Sequence, residues 1–343
     1  MKPTIAVDIA KNVFEIAVSC RPGKVAERHR LSRTKLLRFF AQRQPSRILL
    51  EACGSAHFWA RELQKLGHEV VLLPPHLVRP YRRRHQKTDR ADAKALLEAF
   101  RNEEIQPVPI KSVEQHSLAA LHRLRSAWIA TRTARINAVR GILRELGHFM
   151  PKGAHHVVPR VRELIEDADS GLPDPLRVAL SEACWEIRDL EQRSSTARKQ
   201  LEAFAPTIPA VEHLLSVPGI GKLTATALVA FVAEIYRFPS GRHFASYLGL
   251  TPREHSSGSR RQLGHISKQG DTYLRMLLVH GARSCLAAAK RYNKKDPLHA
   301  WALQLKERRG HNRATVALAN KLARIAWRVW KEDRDYWIER QAA

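Results

Sequence analysis

Short apolar runs separated by turn residues fill the first part of the chain. TIAVDI and VFEIAVS flank a turn at Ala10-Lys11-Asn12, and a Pro22-Gly23 turn precedes KVAERHR. Apolar runs of this length, bounded by turn residues, are typical of β-strands. The pattern predicts a three-stranded antiparallel meander at the start of the chain.

Predicted helices and strands then alternate. A helix is expected across Lys35–Gln42, followed by the strand RILLE, the helix AHFWARELQKLG ended by Gly67, and the strand EVVLLP. Hairpins followed by alternating strand and helix predict an α/β fold, a mixed sheet flanked by helices, as in ribonuclease-H-like nucleases.

Two long amphipathic patterns occupy the middle of the chain. From Val113 to Gly147 apolar residues recur at helical spacing while arginines fill the other faces, and a second such stretch runs from Pro175 to Phe204. The two patterns predict an antiparallel coiled coil or helical spacer that serves in dimerisation. A plain helical bundle is the alternative.

The motif VPGIGKLTATALVAFV follows, with a glycine turn between two helical runs. This is typical of a helix-hairpin-helix, in which Gly219 and Gly221 let backbone N–H groups approach a phosphate. Lys222 and Thr224 would add side-chain donors. The alternative is a hairpin that serves only the fold.

The last hundred residues combine a basic stretch with helical patterns. The segment from Phe238 to Ser284 is dense in Gly, Ser, Arg and His and predicts basic loops rather than packed structure. From Leu298 to Arg340 the pattern is helical, with tryptophans expected in the core: Trp301, Trp327, Trp330 and Trp337.

Charge and composition narrow the partners. Lys and Arg number 59 against 33 Asp and Glu, a formal charge of +26, which indicates a polyanion such as nucleic acid. A basic ribosomal or architectural protein is the alternative on charge alone. The four cysteines lie far apart without a CxxC pair, so neither a zinc ribbon nor a disulfide framework is expected. With no signal peptide and no membrane-length apolar run, we expect a cytoplasmic, nucleoid-associated protein without membrane contact.

Four carboxylates in the first third suggest a metal site. Asp8 and Glu51 stand where apolar strands end, and Asp89 and Asp92 are three apart on a predicted helix. A single Asp at a strand end is ordinarily a turn or cap residue. Four that converge on one sheet edge would repel one another without a cation, so a catalytic site for Mg²⁺ or Mn²⁺ is predicted. Two such ions can clamp both oxygens of a phosphoryl displacement.

Basic residues accompany this cluster. The segment HLVRPYRRRHQKT directly precedes the second pair of carboxylates and is expected to guide a phosphate backbone. The expected contacts are Arg82, Arg83, Arg84 and Lys87. A solvated loop with ordinary surface arginines is the alternative.

A second candidate centre lies in the basic C-terminal stretch. Ser256, Ser257 and Gly258 stand among residues that could hold a phosphate or accept a proton. These are Arg253, His255, Arg260, Arg261, Lys268 and Arg275. On the residues alone, Ser-Ser-Gly is ordinarily a turn.

Several motifs, in order, resemble one known family. VDIAKNVFEIAV, LEACGSAHFWARELQKLGHEVVLLPPHLVRPY, KTDRADAKAL, VPGIGKLTATAL, FASYLGLTPREHSSGS and GHISKQGDTYLRMLLVHGAR resemble transposases of the insertion-sequence 110 family. EACGSAHFWAR is similar to the 1111 subgroup. The resemblance spans roughly residues 3 to 290 and leaves out only the last helices.

The resemblance implies a fold, a mechanism and partners. It implies a RuvC-like domain (1–110) whose DEDD set falls on Asp8, Glu51, Asp89 and Asp92, a coiled-coil linker (111–205) and a C-terminal transposase domain (206–343). The family's nucleophilic serine precedes a glycine, which selects Ser257 over Ser256. Donor and target DNA, a structured guide RNA from the element, and a homodimer or four-subunit synapse are the implied partners. The rivals are a metal-only junction nuclease and a non-catalytic nucleic-acid-binding protein.

Overall fold

The computed structural model describes residues 3–21, 24–82, 88–293 and 296–336. The chain divides into two compact units, Met1–Val113 and Glu114–Ala343. The predicted combination of a mixed α/β region with a largely helical region is confirmed. A separate linker domain ending at residue 205 stays a prediction.

The N-terminal unit is built on a five-stranded mixed sheet in the order β3-β2-β1-β4-β5. β1 pairs antiparallel with β2 and parallel with β4, so the predicted meander is confirmed, although the third strand begins at Glu27 rather than Lys24. The elements are β1 (Thr4–Ile9), β2 (Val13–Ser19), β3 (Glu27–Ser32), α1 (Leu36–Ala41), β4 (Arg47–Glu51), α2 (Ala56–Lys65), β5 (Glu69–Leu73), α3 (Pro75–Val78) and α4 (Asp89–Phe100).

Both faces of this sheet are buried. Alternate residues of a strand point to opposite faces. Ile5, Val7 and Leu50 therefore pack in the core formed with α1 and α2, whereas Ala6 and Leu49 pack against α4. A register slip of one residue would move every side chain to the wrong face, so burial on both sides fixes the register of β1 and β4.

The C-terminal unit is helical except for one short hairpin. Its elements are α5 (Val113–Glu145), α6 (Val157–Glu166), α7 (Asp174–Phe204), α8 (Pro209–Leu215), α9 (Lys222–Val232), α10 (Gly241–Tyr247), β6 (Pro252–Glu254), β7 (Leu263–Ile266), α11 (Thr272–Arg291), α12 (Pro297–Arg309) and α13 (His311–Lys331). No helix in the described parts of the chain is long and apolar enough to cross a membrane.

The long helices α5 and α7 run antiparallel. Arg132 forms an ion pair with Glu191 at 2.9 Å, and Arg135 forms one with Glu186. Residues later in α5 therefore contact residues earlier in α7. The sequence pattern misses α6, which lies between them in the chain and buries its apolar face, Val161 included, in their shared core. Dimerisation through this helix pair stays a prediction.

The last five helices, together with α8, enclose the largest core of the unit. The segment predicted to be loops supplies Phe244, Leu250 and Leu274 to that core, so the prediction that it does not pack is wrong. The final helical pattern divides at Gly310, where φ is +81°, into α12 and α13. The predicted tryptophans Trp301, Trp327 and Trp330 pack against the core, and Trp337 lies outside the described residues.

Candidate functional site

Strand pairing brings Asp8 and Glu51 side by side. Val7 pairs with Leu50 in the parallel β1–β4 ladder, so the next position on each strand is a carboxylate. Both carboxylates lie on the sheet face of Ala6 and Leu49, which α4 covers. The first turn of α4 carries Asp89 and Asp92. The four predicted residues therefore lie around one end of the α4-covered face.

The electrostatics show that these carboxylates interact. Burial, followed by the charges of Asp92, Asp89 and Glu51, raises the pKa of Asp8 to about 6. Burial also raises the pKa of Glu51, and the charge of Asp92 raises it by a smaller amount, whereas the charge of Arg82 lowers it. Clustered carboxylates that resist ionisation are typical of sites that bind a cation or move a proton.

A fifth carboxylate, Glu15, lies beside the cluster and was missed from the sequence. It pairs directly with Asp8 across the β1–β2 ladder and is only 5% exposed. Its Oε1 lies 3.5 Å from Nε of Arg90, and its charge contributes to the raised pKa of Asp8. The available signal was a single acidic residue inside the otherwise apolar strand VFEIAVS.

The start of α4 orients the second carboxylate pair. Thr88 caps the helix, its Oγ1 accepting a hydrogen bond from the N–H of Ala91 at 3.2 Å. Acidic residues in the first turn are favoured by the helix dipole, which is a structural reason for both aspartates. Their placement beside Asp8 is what distinguishes them from ordinary helix-start acids.

The donor set fits a hard divalent cation, although the side chains are not yet arranged as ligands. Arg82 donates to Oδ1 of Asp92 at 2.9 Å. Within the described residues, no three Asp, Glu, His or Cys side chains stand at metal-ligating spacing. An all-oxygen set of four carboxylates is nevertheless the chemistry that Mg²⁺ and Mn²⁺ prefer, and a cation would relieve the repulsion at Asp8.

The basic segment before α4 is described only in part. Arg82 pairs with Asp92, a partner that sequence reasoning did not foresee. Arg83, Arg84 and Lys87 lie outside the described residues. Nucleic-acid binding by this segment stays a prediction.

Ser257 stands at the tip of the only hairpin in the described part of the C-terminal unit. β6 and β7 pair through Pro252 with Ile266, and beyond them Ser257 and Arg260 exchange two backbone hydrogen bonds of 3.2 and 3.1 Å. Gly258, with φ +55°, makes the turn. The residues around the tip are exposed to solvent.

The two adjacent serines differ in their hydroxyl contacts. Ser256 Oγ donates to Oε1 of Glu254 at 2.7 Å and accepts the N–H of Gln262 at 3.2 Å. Ser257 Oγ makes no hydrogen bond to any residue that the structure describes. Of the two hydroxyls, that of Ser257 is therefore the one available to a substrate.

The cations near the serines serve different purposes. Two of the arginines predicted to contact nucleic acid donate hydrogen bonds to backbone carbonyls. Arg253 donates to the carbonyl of Ser267 at 3.2 Å, and Arg275 donates to the carbonyl of Leu248 at 3.2 Å. Arg261 pairs with Glu254 at 3.3 Å. Arg260 and Lys268 form no ion pair within the described residues. Phosphate contacts by these five cations stay predictions.

Two glycines fix the base of the hairpin to α10, and the sequence analysis did not single them out. A Cβ on Gly270, where φ is +100°, would lie 1.9 Å from the carbonyl oxygen of Tyr247. A Cβ on Gly249 would lie 2.1 Å from the carbonyl oxygen of Gln269. Real Cβ atoms do not tolerate such distances, so only glycine permits this close backbone contact.

The predicted phosphate-binding turn joins α8 to α9. Gly219 has φ +81° and abuts α11, where a Cβ would lie 2.7 Å from the carbonyl oxygen of Gly281. Packing thus explains this glycine, whereas Gly221 and Lys222 are exposed at the start of α9. Thr224 is only 7% exposed, so its predicted role as a surface donor is wrong. Phosphate binding by Gly219, Gly221 and Lys222 stays a prediction.

Comparison with known proteins gives a consistent result. A DEDD-type IS110 model described as "Transposase" matches residues 5–148, and "Transposase IS116/IS110/IS902 family" matches residues 211–296. The first match contains all four carboxylates and the second contains Ser257.

Full-length relatives carry the same description. The "Probable family 20 transposase" of Pseudomonas aeruginosa is 40% identical over 97% of this chain and 98% of its own length. The "Transposase for insertion sequence element IS1111A" of Coxiella burnetii is 36% identical over 97% and 90%. The "Transposase for insertion sequence element IS1328" of Yersinia enterocolitica is 34% identical over 95% and 96%. The chain therefore belongs to the IS110 family and is a DNA transposase, an enzyme of phosphoryl transfer.

Proposed function

We propose that this transposase cuts and rejoins DNA with two chemical centres, a divalent-metal site in the N-terminal unit and a serine nucleophile in the C-terminal unit. The observation that carries the proposal is the gathering of Asp8, Glu51, Asp89 and Asp92 around one end of a buried sheet face. The central position of β1 between an antiparallel hairpin and parallel strands supports a RuvC-like, ribonuclease-H-like domain.

The four carboxylates are the residues that would hold Mg²⁺ or Mn²⁺. When bound, the metal supplies positive charge to the oxygens of a phosphodiester under attack. Asp8 and Glu51 are fixed by the strand ladder, and their backbone positions do not depend on a ligand. Asp92 must release Arg82 to join them, which frees the Arg82 guanidinium for a phosphate nearby.

The serine step is a transesterification. The Oγ of Ser257 attacks phosphorus, the bond from phosphorus to one strand's oxygen breaks, and the serine proton ends on the departing oxygen. The products are a phosphoserine ester and a free DNA hydroxyl. Attack by a hydroxyl of the exchange partner then reverses the step and restores the serine. No phosphodiester bond is lost overall, so rejoining needs no external energy source.

The surroundings of Ser257 support this role. Arg260 brackets the tip through two backbone bonds and carries a guanidinium that forms no ion pair within the described residues. A guanidinium is suited to the two oxygens of a phosphate. We propose that Arg260 and Lys268 hold the scissile phosphate, and that Arg253, Arg261 and Arg275 steady the hairpin that presents it.

The proposal extends to partners. A charge of +26 supports binding to donor and target DNA together with a structured RNA encoded by the element, which would select both by base pairing. The α5–α7 helix pair is the proposed dimerisation arm, with a tetramer in the synapse. Sequencing of co-purified nucleic acid tests the RNA: one discrete short RNA is expected, and only random host RNA would contradict it.

The alternative is a metal-only nuclease, in which the same carboxylates activate water. It is favoured by their resemblance to an ordinary two-metal site. Cleavage and exchange of a labelled element end, with Mg²⁺ present, separate the two proposals. Ser257→Ala is expected to abolish both reactions, while Ser256→Ala retains them. Undiminished cleavage by Ser257→Ala would establish water as the nucleophile.

A further inference from the structure

A cavity of about 950 Å³ opens beside the base of the serine hairpin. Its walls come from β6 and β7, from Trp301 of α12 and from one side of α13. The apolar part of the lining includes Leu250, Ile266 and Val316, and charged side chains stand around it. The volume is within the range of pockets that enclose small organic groups.

A second cavity of about 550 Å³ lies further along the same helix. Lys321 and Arg324 line both cavities, so the two adjoin along α13 and are together named the α13 groove. Arg313 marks one end of it and Arg328 the other. At 1.5 Å per residue the groove follows α13 for about 22 Å.

The α13 groove is cationic without compensating acids. No Asp or Glu is among the described residues that line either cavity. Arg328 pairs with Glu332 at 3.1 Å, but Arg313, Lys321 and Arg324 form no ion pair within the described residues. The Nζ of Lys321 stands 4.2 Å from the ring centroid of Trp301, which holds this charge at the cavity wall.

The chemistry of this lining indicates an unpaired nucleotide. An apolar floor accepts the face of a base, and a row of cations accepts successive phosphates. A base inside a duplex remains stacked and could not enter the apolar cavity without being extruded. A neutral apolar ligand would leave the cations without a partner. A duplex would leave the apolar cavity empty, because its bases stay stacked.

The position of the groove identifies the strand. Pro252 and Ile266, at the base of the hairpin, belong to the segments that line or flank the groove, and Ser257 lies five residues beyond Pro252. Five extended residues span about 16 Å. A DNA strand attacked at the tip would therefore continue into the groove within a few nucleotides.

We propose that the α13 groove binds the unpaired DNA strand next to the phosphodiester attacked by Ser257, with one base inserted in the larger cavity. Which DNA strand occupies the groove rests on the proposed attack by Ser257, whereas the binding of an unpaired strand does not. Through this contact the enzyme would select DNA that has been locally unpaired, as at a site opened for exchange.

Binding to full-length protein carrying Ser257→Ala, which cuts no strand, tests the groove. The probes are fluorescein-labelled single-stranded DNA of about 12 nucleotides with one 2-aminopurine, the matching duplex, and an RNA of the same sequence. Anisotropy reports affinity, and 2-aminopurine fluorescence reports the unstacking of a base. Circular dichroism checks that each variant folds.

Two variants separate charge from cavity. Lys321→Gln with Arg324→Gln should weaken single-stranded DNA binding about tenfold or more. The control is Lys199→Gln with Lys290→Gln, which removes the same charge from exposed positions of α7 and α11 and should cost no more than about threefold. Ala317→Phe, which fills the cavity without a change in charge, should abolish the 2-aminopurine signal and spare duplex binding.

The proposal is overturned if the groove variant binds no more weakly than the control. It is also overturned if the RNA binds more tightly than the single-stranded DNA and the groove variant loses mainly RNA binding. A third contradicting result is an Ala317→Phe variant that keeps the 2-aminopurine signal. Because no outcome depends on cleavage, failure of the groove leaves the role of Ser257 untouched, and failure of Ser257 as nucleophile leaves the binding result unchanged.

Discussion

In the N-terminal unit the carboxylates proposed to bind metal extend from a buried sheet, whereas in the C-terminal unit Ser257, the proposed nucleophile, stands at the end of an exposed hairpin. Val7 and Leu50, which precede Asp8 and Glu51, are fully buried, so the core itself sets the position of these carboxylates. Ser257 has no buried neighbour in the chain. Its position depends on β6, β7 and the glycines at the hairpin base.

The difference follows from what each centre must do. Carboxylates that share a cation must be held close together against their own repulsion, which only a rigid frame achieves. The pKa of about 6 at Asp8 reflects burial first and that repulsion second. A nucleophile that attacks DNA must reach a large substrate, so it is exposed and loosely surrounded. The two regions should therefore respond differently to mutation.

The largest effect is expected at the carboxylates. Asp89→Asn keeps the shape of the side chain and removes a charge that is proposed to hold the metal, so Mg²⁺-dependent cleavage should fall by about 10²–10³-fold or more. Initial rates on a labelled element end measure the loss.

The matched control lies on the same helix. Glu98→Gln alters a carboxylate of α4 that pairs with Arg101 at 2.9 Å, away from Asp8, and should leave cleavage within about twofold of the wild type. An unchanged rate for Asp89→Asn would contradict a role for Asp89 in the proposed metal site.

The next effect is expected at the base of the hairpin. Gly270→Ala places a Cβ 1.9 Å from the carbonyl oxygen of Tyr247 and should lower the free energy of unfolding by about 2–4 kcal/mol. Thermal unfolding monitored by tryptophan fluorescence measures the loss, since Trp301, Trp327 and Trp330 pack against the core of this unit.

Gly264→Ala is the control within the same hairpin. Its Cβ would meet nothing nearer than the carbonyl oxygen of Arg253 at 3.9 Å, and a change below about 0.5 kcal/mol is expected. Equal stability of the two variants would mean that the close backbone contact at Gly270 does not hold the base of the hairpin.

A smaller effect of opposite sign is expected at Asp8. In metal-free protein Asp8→Asn removes a partly buried charge and its repulsion from the neighbouring carboxylates. The change should raise the free energy of unfolding at pH 7 by about 1–2 kcal/mol, discounted for partial exposure. The folded pKa is about 6 and the ordinary value is 3.8. Between these values the folded state holds a proton that the unfolded state has lost, so the wild type loses stability as the pH rises.

The advantage of Asp8→Asn should consequently grow from pH 4 to pH 6 and stay constant above that. Urea unfolding in a metal chelator, at several pH values, measures it. A gain that is independent of pH, or a loss of stability, would show that Asp8 is not held in a repulsive cluster.

Sequence patterns predicted the N-terminal unit well because its strands are buried and periodic. RILLE and EVVLLP are recognisable without any tertiary information, and the end of RILLE shows where Glu51 will stand. Glu15 and the Arg82–Asp92 ion pair were not foreseen, because both depend on which residues meet across the sheet or in space.

The C-terminal unit was harder to predict for a physical reason. The β6–β7 strands are short and mostly exposed, so they have no apolar alternation to recognise. The break at Gly310 and the helix α6 also escaped the pattern. Ser257 was preferred over Ser256 by family resemblance alone, and the hydrogen bonds that distinguish the two hydroxyls needed the structure.

The smallest effect is expected at Ser256. Ser256→Ala removes a brace to Glu254 and to the N–H of Gln262 on an exposed turn, which is worth about 0.5–1 kcal/mol, so cleavage should fall only about twofold to fivefold. Comparing the cleavage rates of Ser256→Ala and Ser257→Ala distinguishes a hydrogen-bonded hydroxyl from the proposed nucleophile. A loss as large as that of Ser257→Ala would reverse the assignment.

The most direct test of the account is to trap the covalent intermediate and locate it. Full-length protein is incubated with Mg²⁺ and a DNA end that carries a nick beyond the cleavage point, so that the released strand diffuses away, and the digested protein is analysed by mass spectrometry. The account predicts a nucleotide joined through phosphate to Ser257. Cleaved DNA without any adduct, or an adduct on Ser256, would contradict it.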